Sequence, residues 1–462
     1  MSKGVINEQL IYEQSKLPLG GRREELEFFN SNGTVSGGSR CQVRIPNLRN
    51  SYLDCDNAYL RFTVSDCEIT GTVLPFIDTS GASDVNTNFE NLRLSAFSAA
   101  SFIKEVEILN ENVSIYKCDD ANKIASIIQV SNTGLPGCSA KSVLDGTAIS
   151  EVGALSGLKV AETYGVPRTG STATKCLVPE MTFCVNANVL GCLGEGCLPI
   201  NQIRNGLLLQ VQFETDVRIP FKADKNLATI ASTGNKMSFK DISYCVPSII
   251  LDDSSQMAVA EENGFGERPT QYSGIIRRCS VLTVPKVNYN TTQTLNRLLP
   301  NNRYVSLNNI LLGSFPSPDG HADGNAPVCP YNSIQYRYQG VQRPNERINT
   351  VSQAVQNTIS CYSNCSPSVA STVMNNSHSI FNFRPSAVAV PSTSTPRMVL
   401  GVDFTAWNDD SVISGIDTSN GDTEVDLGIT ANASLLDFND CFVSTFDCVW
   451  IINEGVMSCS FN

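Results

Sequence analysis

The chain offers little of the chemistry on which enzymes usually depend. It has two histidines in 462 residues, His321 and His378, although general acid–base and zinc catalysis rely heavily on this side chain. His321 lies in the stretch SPDGHADGNAP, where Asp319, Asp323 and Asn325 could supply oxygen ligands to a cation. Gly, Pro and Asp at this density are more typical of a surface turn. We therefore expect a turn at His321 and a loop at His378.

Sequence motifs for catalysis and cofactor binding are missing as well. We find no GxSxG elbow, no GxxxxGK[ST] phosphate loop and no HExxH zinc motif. The acidic stretch 417–426 fails the calcium-loop pattern, because Gly421 stands where a ligand is required and no Glu closes the loop. A carboxylate pair for glycoside cleavage is always available among 45 acidic residues, but nothing singles one out. We expect no enzyme activity, and no catalytic, cofactor or metal site.

Seventeen cysteines are scattered along the chain without any CxxC motif. The two close pairs, Cys192/Cys197 and Cys361/Cys365, have no second pair at zinc-finger spacing. We expect the seventeen cysteines to be mostly buried free thiols of a protein in a reducing compartment, with a disulfide framework as the alternative.

The charge and hydropathy of the chain limit its partners. The net charge is −12, and no basic run is longer than Arg22-Arg23 or Arg277-Arg278. Specific nucleic-acid binding is not expected, because phosphate neutralisation needs clustered Lys and Arg. No apolar leader and no apolar run of about 18 residues is present, so we expect synthesis in the host cytosol and no transmembrane segment.

Alternating apolar and polar residues predict β-strands along most of the chain. Residues 58–65 place Leu60, Phe62 and Val64 on one face. The clearest strand lies within residues 207–221, where Leu209, Val211 and Phe213 alternate with Gln210, Gln212 and Glu214. Residues 101–118 predict a hairpin that turns at residues 110–112. Three short helices are expected among these strands, over residues 119–130, 254–264 and 352–359.

Residues 333–348, SIQYRYQGVQRPNERI, combine a strand with a charged corner. Ile334, Tyr336 and Tyr338 alternate with Gln335, Arg337 and Gln339, after which we expect Gly340 to interrupt the strand and Pro344 to end it. The charges that follow, on Arg343, Glu346 and Arg347, could pair across a contact with another subunit. The alternative is an ordinary solvated surface.

These strands and turns predict an all-β chain of two consecutive jelly-roll β-sandwiches, with a few short helices and long loop insertions. The predicted segments are an N-terminal arm (1–40), a first jelly roll (41–223) with an insertion (131–175), a connector (224–236) and a second jelly roll (237–462). The apolar residues of the arm, including Phe28 and Phe29, could dock onto a neighbouring subunit or cover the base of their own.

Four stretches together resemble the double jelly-roll major capsid proteins of icosahedral double-stranded DNA viruses, nearest to the polinton, adintovirus and virophage branch. They are residues 39–64, 100–128, 333–348 and 401–430, spread over both halves of the chain in the expected order. The resemblance implies a homotrimer that forms a pseudo-hexameric capsomer and self-assembles into an icosahedral shell around double-stranded DNA. It also implies location in the virion, assembly in the cytoplasm or nucleus, and other capsid proteins, such as a penton protein and minor or cement proteins, as partners.

In that setting Arg343, Pro344, Glu346, Arg347, Phe28 and Phe29 are the candidate inter-subunit contacts. Two other functions stay open from the sequence. One is a β-sandwich viral spike that binds carbohydrate or a receptor, which predicts exposed aromatic residues in loops. Trp407 and Trp450 instead occupy apolar strand patterns. The other is a glycoside hydrolase on a jelly-roll scaffold, which the scarcity of His and Trp disfavours.

Overall fold

The structure is a computed structural model of the 462-residue chain. It describes residues 21–70, 92–94, 98–132, 144, 147–149, 155–157, 160, 164, 175–186, 189–223, 230–262, 269–299, 302–317, 329–361, 399–405, 415–431 and 437–460. His321, His378, Trp407 and most of the 131–175 insertion lie outside these residues.

Among the described residues, the first half of the chain contributes sixteen strands and one α-helix. In chain order they are β1 (Gly21–Phe29), β2 (Val35–Ser36), β3 (Arg40–Ile45), β4 (Ser51–Asp54), β5 (Tyr59–Thr70), β6 (Leu92–Leu94), β7 (Ile103–Asn110), β8 (Val113–Cys118), α1 (Ala121–Asn132), β9 (Thr147–Ile149), β10 (Leu155–Gly157), β11 (Lys175–Leu177), β12 (Met181–Asn186), β13 (Cys197–Leu198), β14 (Leu207–Phe213), β15 (Phe221–Ala223) and β16 (Lys236–Leu251).

In the second half, the part that the structure describes contains nine strands and two α-helices. They are α2 (Asp253–Glu262), β17 (Thr270–Val284), β18 (Gln293–Leu299), β19 (Leu307–Ser317), β20 (Ser333–Tyr338), β21 (Val341–Ile348), α3 (Val351–Ser360), β22 (Leu400–Asp403), β23 (Thr423–Ile429), β24 (Asp437–Asn453) and β25 (Val456–Ser460).

Each half folds into two facing antiparallel sheets, and the two halves repeat the same strand order. One sheet runs β3-β14-β7-β8 in the first half and β18-β23-β20-β21 in the second. The other sheet has β16 between β1 and β5, with β12 beyond β5; its counterpart runs β17-β24-β19-β22. In both halves a hairpin leads directly into a helix, α1 or α3. The predicted pair of jelly rolls is therefore confirmed. Because the two halves share one strand order, the second half is a structural repeat of the first.

Several local predictions are confirmed. On β14 Leu209, Val211 and Phe213 are fully buried, while the intervening glutamines are only half-buried. The hairpin β7–β8 turns at Glu111 and Asn112, which both have positive φ, as two-residue hairpin turns require. Strand β5 and helices α1, α2 and α3 also cover most of the segments expected of them.

The predicted boundaries of the two jelly rolls do not match the strand pairing. Residues 237–251 were assigned to the second jelly roll, but β16 pairs with β1, β2, β4 and β5 and thus completes the larger sheet of the first. The predicted arm also contains β1, whose nine residues pair along β16 from Gly21–Leu251 to Phe29–Ser243. Because β1 and β16 lie more than 200 residues apart, the local sequence of neither strand indicates that the two pair. The described strands divide at α2 instead.

Candidate functional site

The charged corner predicted from SIQYRYQGVQRPNERI is a hairpin, β20–β21. Its turn residues Gln339 and Gly340 have φ of 47° and 79°, the left-handed values that a tight two-residue turn needs. Contrary to expectation, Pro344 does not end the strand, because β21 continues to Ile348. β21 lies at the edge of its sheet, where a residue without an N–H is tolerated.

The two faces of β20 follow the predicted alternation. Ile334 and Tyr336 are buried in the core of the second sandwich. Gln335 points to the other face and is also buried. Its side-chain amide donates to Gln342 Oε1 at 3.1 Å and to the Pro344 carbonyl at 3.3 Å. These bonds hold β21 beside β20 and fix the position of the charged residues.

The three charges of the corner have different surroundings. Arg347 is half-buried, and its Nη2 lies 3.6 Å from Asp426 Oδ2, a carboxylate that Arg337 also contacts. Asp426 is only 2% exposed, so both arginines compensate a buried charge of their own chain. Arg343 and Glu346 are exposed, and no ion pair within the described part of the chain involves either. Of the three charges, these two stay candidates for a contact with another subunit.

The two phenylalanines at the end of β1 also differ. Phe28 is half-buried and packs against the core of its own sandwich. Phe29 lies on the opposite face and is 61% exposed. Nearby, Glu27 contacts Arg61 and accepts a hydrogen bond from Ser243 Oγ at 2.7 Å, which ties this face of β1 to the sheet. Phe29 is thus the phenylalanine presented to solvent.

Direct bonds join the two sandwiches side by side. Arg277 of β17 lies 3.3 Å from Glu195 of the first half, and Glu195 also accepts the backbone N–H of Ile275 at 3.3 Å. Thr270 Oγ1 donates to Gln202 Oε1 at 2.6 Å. Sequence reasoning did not identify these residues, since each pair is separated by at least 68 positions along the chain.

The hairpin β24–β25 supplies the rest of this junction. Its turn residue Gly455 accepts a hydrogen bond from the Arg204 N–H at 2.7 Å through its carbonyl. The N–H of Met457 donates to Asn110 Oδ1 at 2.9 Å, and the Asn110 amide in turn donates to the Gly206 carbonyl at 2.9 Å. The junction is therefore built from backbone groups and short polar side chains, which hold the sandwiches in one orientation.

A cleft of about 320 Å³ opens beside α1, next to this junction. The Lys123 ammonium is 2.7 Å from Asp120, and the Asn122 amide donates to Glu214 Oε2 at 3.1 Å. Glu214 is buried and also accepts the Thr215 N–H. Lys123 and Asp120 thus pair with each other, while Glu214 is held by neutral N–H donors. The lining residues are Ser101, Lys104, Asp120, Asn122, Lys123, Ser126, Glu214, Asp216, Ile219 and Phe315.

One carboxyl group lies inside the core of the second sandwich. Asp440 of β24 is fully buried, and burial raises its pKa to about 6. It accepts a hydrogen bond from the Tyr331 hydroxyl, which lies 3.4 Å from that of Tyr289. Glycoside cleavage needs a second carboxyl group across an open substrate site, whereas Asp440 is fully buried and hydrogen-bonded by the Tyr331 hydroxyl.

Two features, a metal-binding cluster and a membrane-spanning helix, are absent from the described residues. No group of three or more His, Cys, Asp and Glu residues is placed to hold a metal ion there. Nor does that part of the chain contain a helix with the length and apolar character needed to cross a bilayer.

Solved structures match this fold over almost the whole chain. The PBCV-1 virus capsid aligns with a TM-score of 0.57 at 12% identity, covering 96% of this chain and 97% of that chain. The mavirus major capsid protein gives 0.53 at 12%, covering 95% and 90%, and the Faustovirus major capsid protein 0.54 at 9%, covering 94% and 91%. No protein-family model and no curated protein matches the sequence. At this level of identity the comparison shows the fold, a double jelly roll.

Proposed function

We propose that this chain is a major capsid protein, a structural subunit of an icosahedral virus shell that encloses double-stranded DNA. The observation that carries the proposal is the match of the complete two-sandwich architecture, over 94–96% of the chain, to proteins described as capsid or major capsid proteins. The role is architectural rather than enzymatic, and the protein resides in the virion after synthesis in the host cytosol and assembly in the cytoplasm or nucleus.

The working unit is a homotrimer. Two sandwiches of the same strand order, fixed side by side by the junction, give six sandwiches around a three-fold axis. Such a trimer has a nearly hexagonal outline and can tile a shell. Its neighbours are further trimers and other capsid proteins, such as a penton protein and minor or cement proteins. A net charge of −12 favours packaging without sequence-specific contact to the genome.

The inter-subunit contacts include the edge strand β21 and the outer face of β1. Arg343 and Glu346 on β21 and Phe29 on β1 are available because the described part of their own chain leaves them exposed, and Pro344 beside them is half-buried. Arg347 and Phe28 support these contacts from within the subunit. The spike and hydrolase alternatives gain no support, since Trp450 is 2% exposed and cannot act as a sugar-stacking surface.

Native mass spectrometry and negative-stain imaging of the purified protein test the proposal. Three chains of 50.0 kDa give an expected mass of about 150 kDa, and the particles should be flat and hexagonal. A stable monomer at micromolar concentration would contradict the capsid role.

A charge reversal tests the contact surface separately. Arg343→Glu should weaken trimers or their assembly into shells, and Glu346→Arg in the same chain should restore part of the loss if Arg343 of one subunit pairs with Glu346 of its neighbour. Arg303→Glu is the matched control, because Arg303 is exposed and only pairs with Asp422 of its own chain. Normal assembly of Arg343→Glu would remove β21 from the interface without affecting the trimer proposal.

A further inference from the structure

Strand β24 carries two cysteines that each lie against a cysteine of a neighbouring strand. Cys448 is a neighbour of Cys459 on β25, and Cys279 on β17 is a neighbour of Cys441. All four thiols are free in the structure. The proposed capsid function assigns no role to these two cysteine pairs.

The strand register explains why the Cys448 and Cys459 side chains meet. Trp450 is the direct partner of Cys459 in the β24–β25 ladder, and Cys448 lies two residues before Trp450 on the same face. Diagonal neighbours of this kind lie on the same face of an antiparallel pair, about 7–8 Å apart and somewhat less between Cβ atoms, so a small approach of the strands brings the thiols together. Cys279 and Cys441 are related in the same way, since Val281 is the direct partner of Cys441.

The two thiols of the β24–β25 pair differ in access. Cys448 is 2% exposed, whereas Cys459 is partly exposed near the end of β25. The pKa of Cys448 is raised, first by its contact with the Cys459 thiol and then by burial. Cys448 therefore stays protonated until its neighbour reacts. An accessible thiol backed by a buried one is the arrangement of an attacking and a resolving cysteine.

We propose that Cys448 and Cys459 form a reversible disulfide when the protein passes from a reducing to an oxidising solution, and that low-molecular-weight disulfides such as oxidised glutathione are the oxidant. The Cys459 thiolate attacks one sulfur of the oxidant, forms a mixed disulfide and releases one glutathione thiolate. Cys448 then loses its proton and attacks the Cys459 sulfur, which releases the second glutathione. The two cysteines are oxidised, the oxidant is reduced, and the two protons end on the two glutathione thiols.

The bond acts at the junction between the sandwiches. The hairpin that it closes, β24–β25, is the one that binds the first half through the Gly455 carbonyl and the Met457 N–H. Joining Cys448 to Cys459 restricts the opening of this hairpin, so these two bonds to the first half break less often. Oxidation is thus expected to stiffen the junction. This inference does not rest on the capsid proposal, because it concerns the isolated chain.

Peptide mapping of the full-length protein tests the bond directly. The protein is incubated with oxidised glutathione or with dithiothreitol, and the remaining thiols are alkylated. Cleavage after Asp447 and Glu454 then separates the two cysteines into peptides 448–454 and 455–462. We expect these two peptides to be cross-linked after oxidation, with the loss of two hydrogens, and to be alkylated separately after reduction.

Several results would overturn the proposal. They are an alkylated Cys459 after oxidation, a stable glutathione adduct on Cys459, and a cross-link of Cys459 to Cys192, the other nearby thiol. A cross-link confined to Cys279 and Cys441 would overturn it as well. Cys459→Ser should abolish the cross-link. Cys197→Ser, which removes an exposed thiol outside the pair, should leave it intact.

Hydrogen exchange tests the effect on the junction. The amides of β25 should exchange at least tenfold more slowly in the oxidised protein than in the reduced one, and Cys459→Ser should show no difference between the two conditions. Equal exchange in oxidised and reduced wild-type protein would overturn the stiffening of the junction.

Discussion

The two sandwiches share a strand order but have different cores. In the first, phenylalanines meet across the two sheets: Phe62 lies 5.2 Å from Phe213 and 6.0 Å from Phe239, and Phe213 stacks on Phe239 at 4.0 Å between ring centroids. In the second, tyrosines take this place. Tyr304 stacks on Phe446 at 3.9 Å, and Tyr289 and Tyr331 surround the buried carboxyl group of Asp440.

This difference shows which properties follow from the strand order, which the two sandwiches share, and which follow from the side chains of each core. Both cores satisfy the same connectivity, so the strand order does not depend on an all-hydrocarbon interior. A phenylalanine core relies on apolar burial alone, which is nearly independent of pH. A core that contains a carboxyl group must supply hydrogen-bond donors, and its stability becomes linked to protonation. The following experiments test that contrast.

The largest effect is expected from a carboxylate placed in the first core. Val211→Asp should abolish soluble expression, because Val211 is fully buried in the hydrophobic core, and an unpaired buried charge costs several kcal/mol against a total stability of about 5–15 kcal/mol. Gln210→Lys is the control, since its side chain lies on the other face opposite Glu107. Yields from parallel expressions give the measurement. Equal yields would mean that the first core tolerates charge as the second does.

Removal of residues 2–36 tests the edge that β1 and β2 add to the first sandwich. We expect the melting temperature of that sandwich to fall by more than about 5 °C, because eleven residues of strand pairing with β16 and the packing of Leu26 and Phe28 are lost. Calorimetry should show the second sandwich unchanged. Removal of residues 2–20 is the control, and an equal loss there would show that β1 is not the source.

Tyr331→Phe tests whether the second core depends on its donor. Asp440 would lose the hydroxyl that donates to it, at a cost of about 1–3 kcal/mol. In an Asp440→Asn background the same change should cost less than about 1 kcal/mol, because no carboxylate is left to stabilise. Urea unfolding of the four proteins gives the coupling energy. Identical costs in the two backgrounds would exclude a special role for this bond.

The smallest effect is the pH dependence of the second core. The pKa of Asp440 is about 6 in the folded protein and near 3.8 when it is solvated. A raised pKa means that the folded state holds its proton more tightly, so this group contributes stability that is complete below pH 3.8 and is lost as the pH rises through 6. Relative to Asp440→Asn, the wild type should gain about 1.4 kcal/mol between pH 7.5 and pH 5. A constant difference in melting temperature across that range would show that Asp440 does not titrate there.

Local patterns in the sequence were enough to predict the sandwich strands and their faces. Alternation identified the inward side of β14 and β20, and the Gly340 region marked a turn. The boundaries failed because they depend on pairing between β1 and β16, and β1 is only half-buried on one face. The alternation of Leu26 and Phe28 with Glu25 and Glu27 was the available signal for β1.

The candidate contact residues show the same limit. The sequence identified a charged corner, but it could not reveal that Arg347 compensates Asp426, 79 positions later, while Arg343 stays exposed. Nor did it show the junction, which joins Asn110 to Met457, 347 positions apart. Such contacts depend on how the sheets are stacked, and a polar residue in a strand has the same sequence pattern whether it faces solvent or another sheet.

The pairing of β1 with β16 also sets the timing of folding during synthesis. Phe29 pairs with Ser243, 214 residues later. At roughly 5–20 residues per second, a ribosome needs about 10–40 s to add that stretch. Until then β1 has no partner strand, and β5 lacks β16 on one side. The four-stranded sheet that ends with β14 can form earlier, so the nascent chain carries a half-built sandwich with an open edge. An open edge can pair with other nascent chains. This intermediate is therefore prone to aggregation until translation reaches β16.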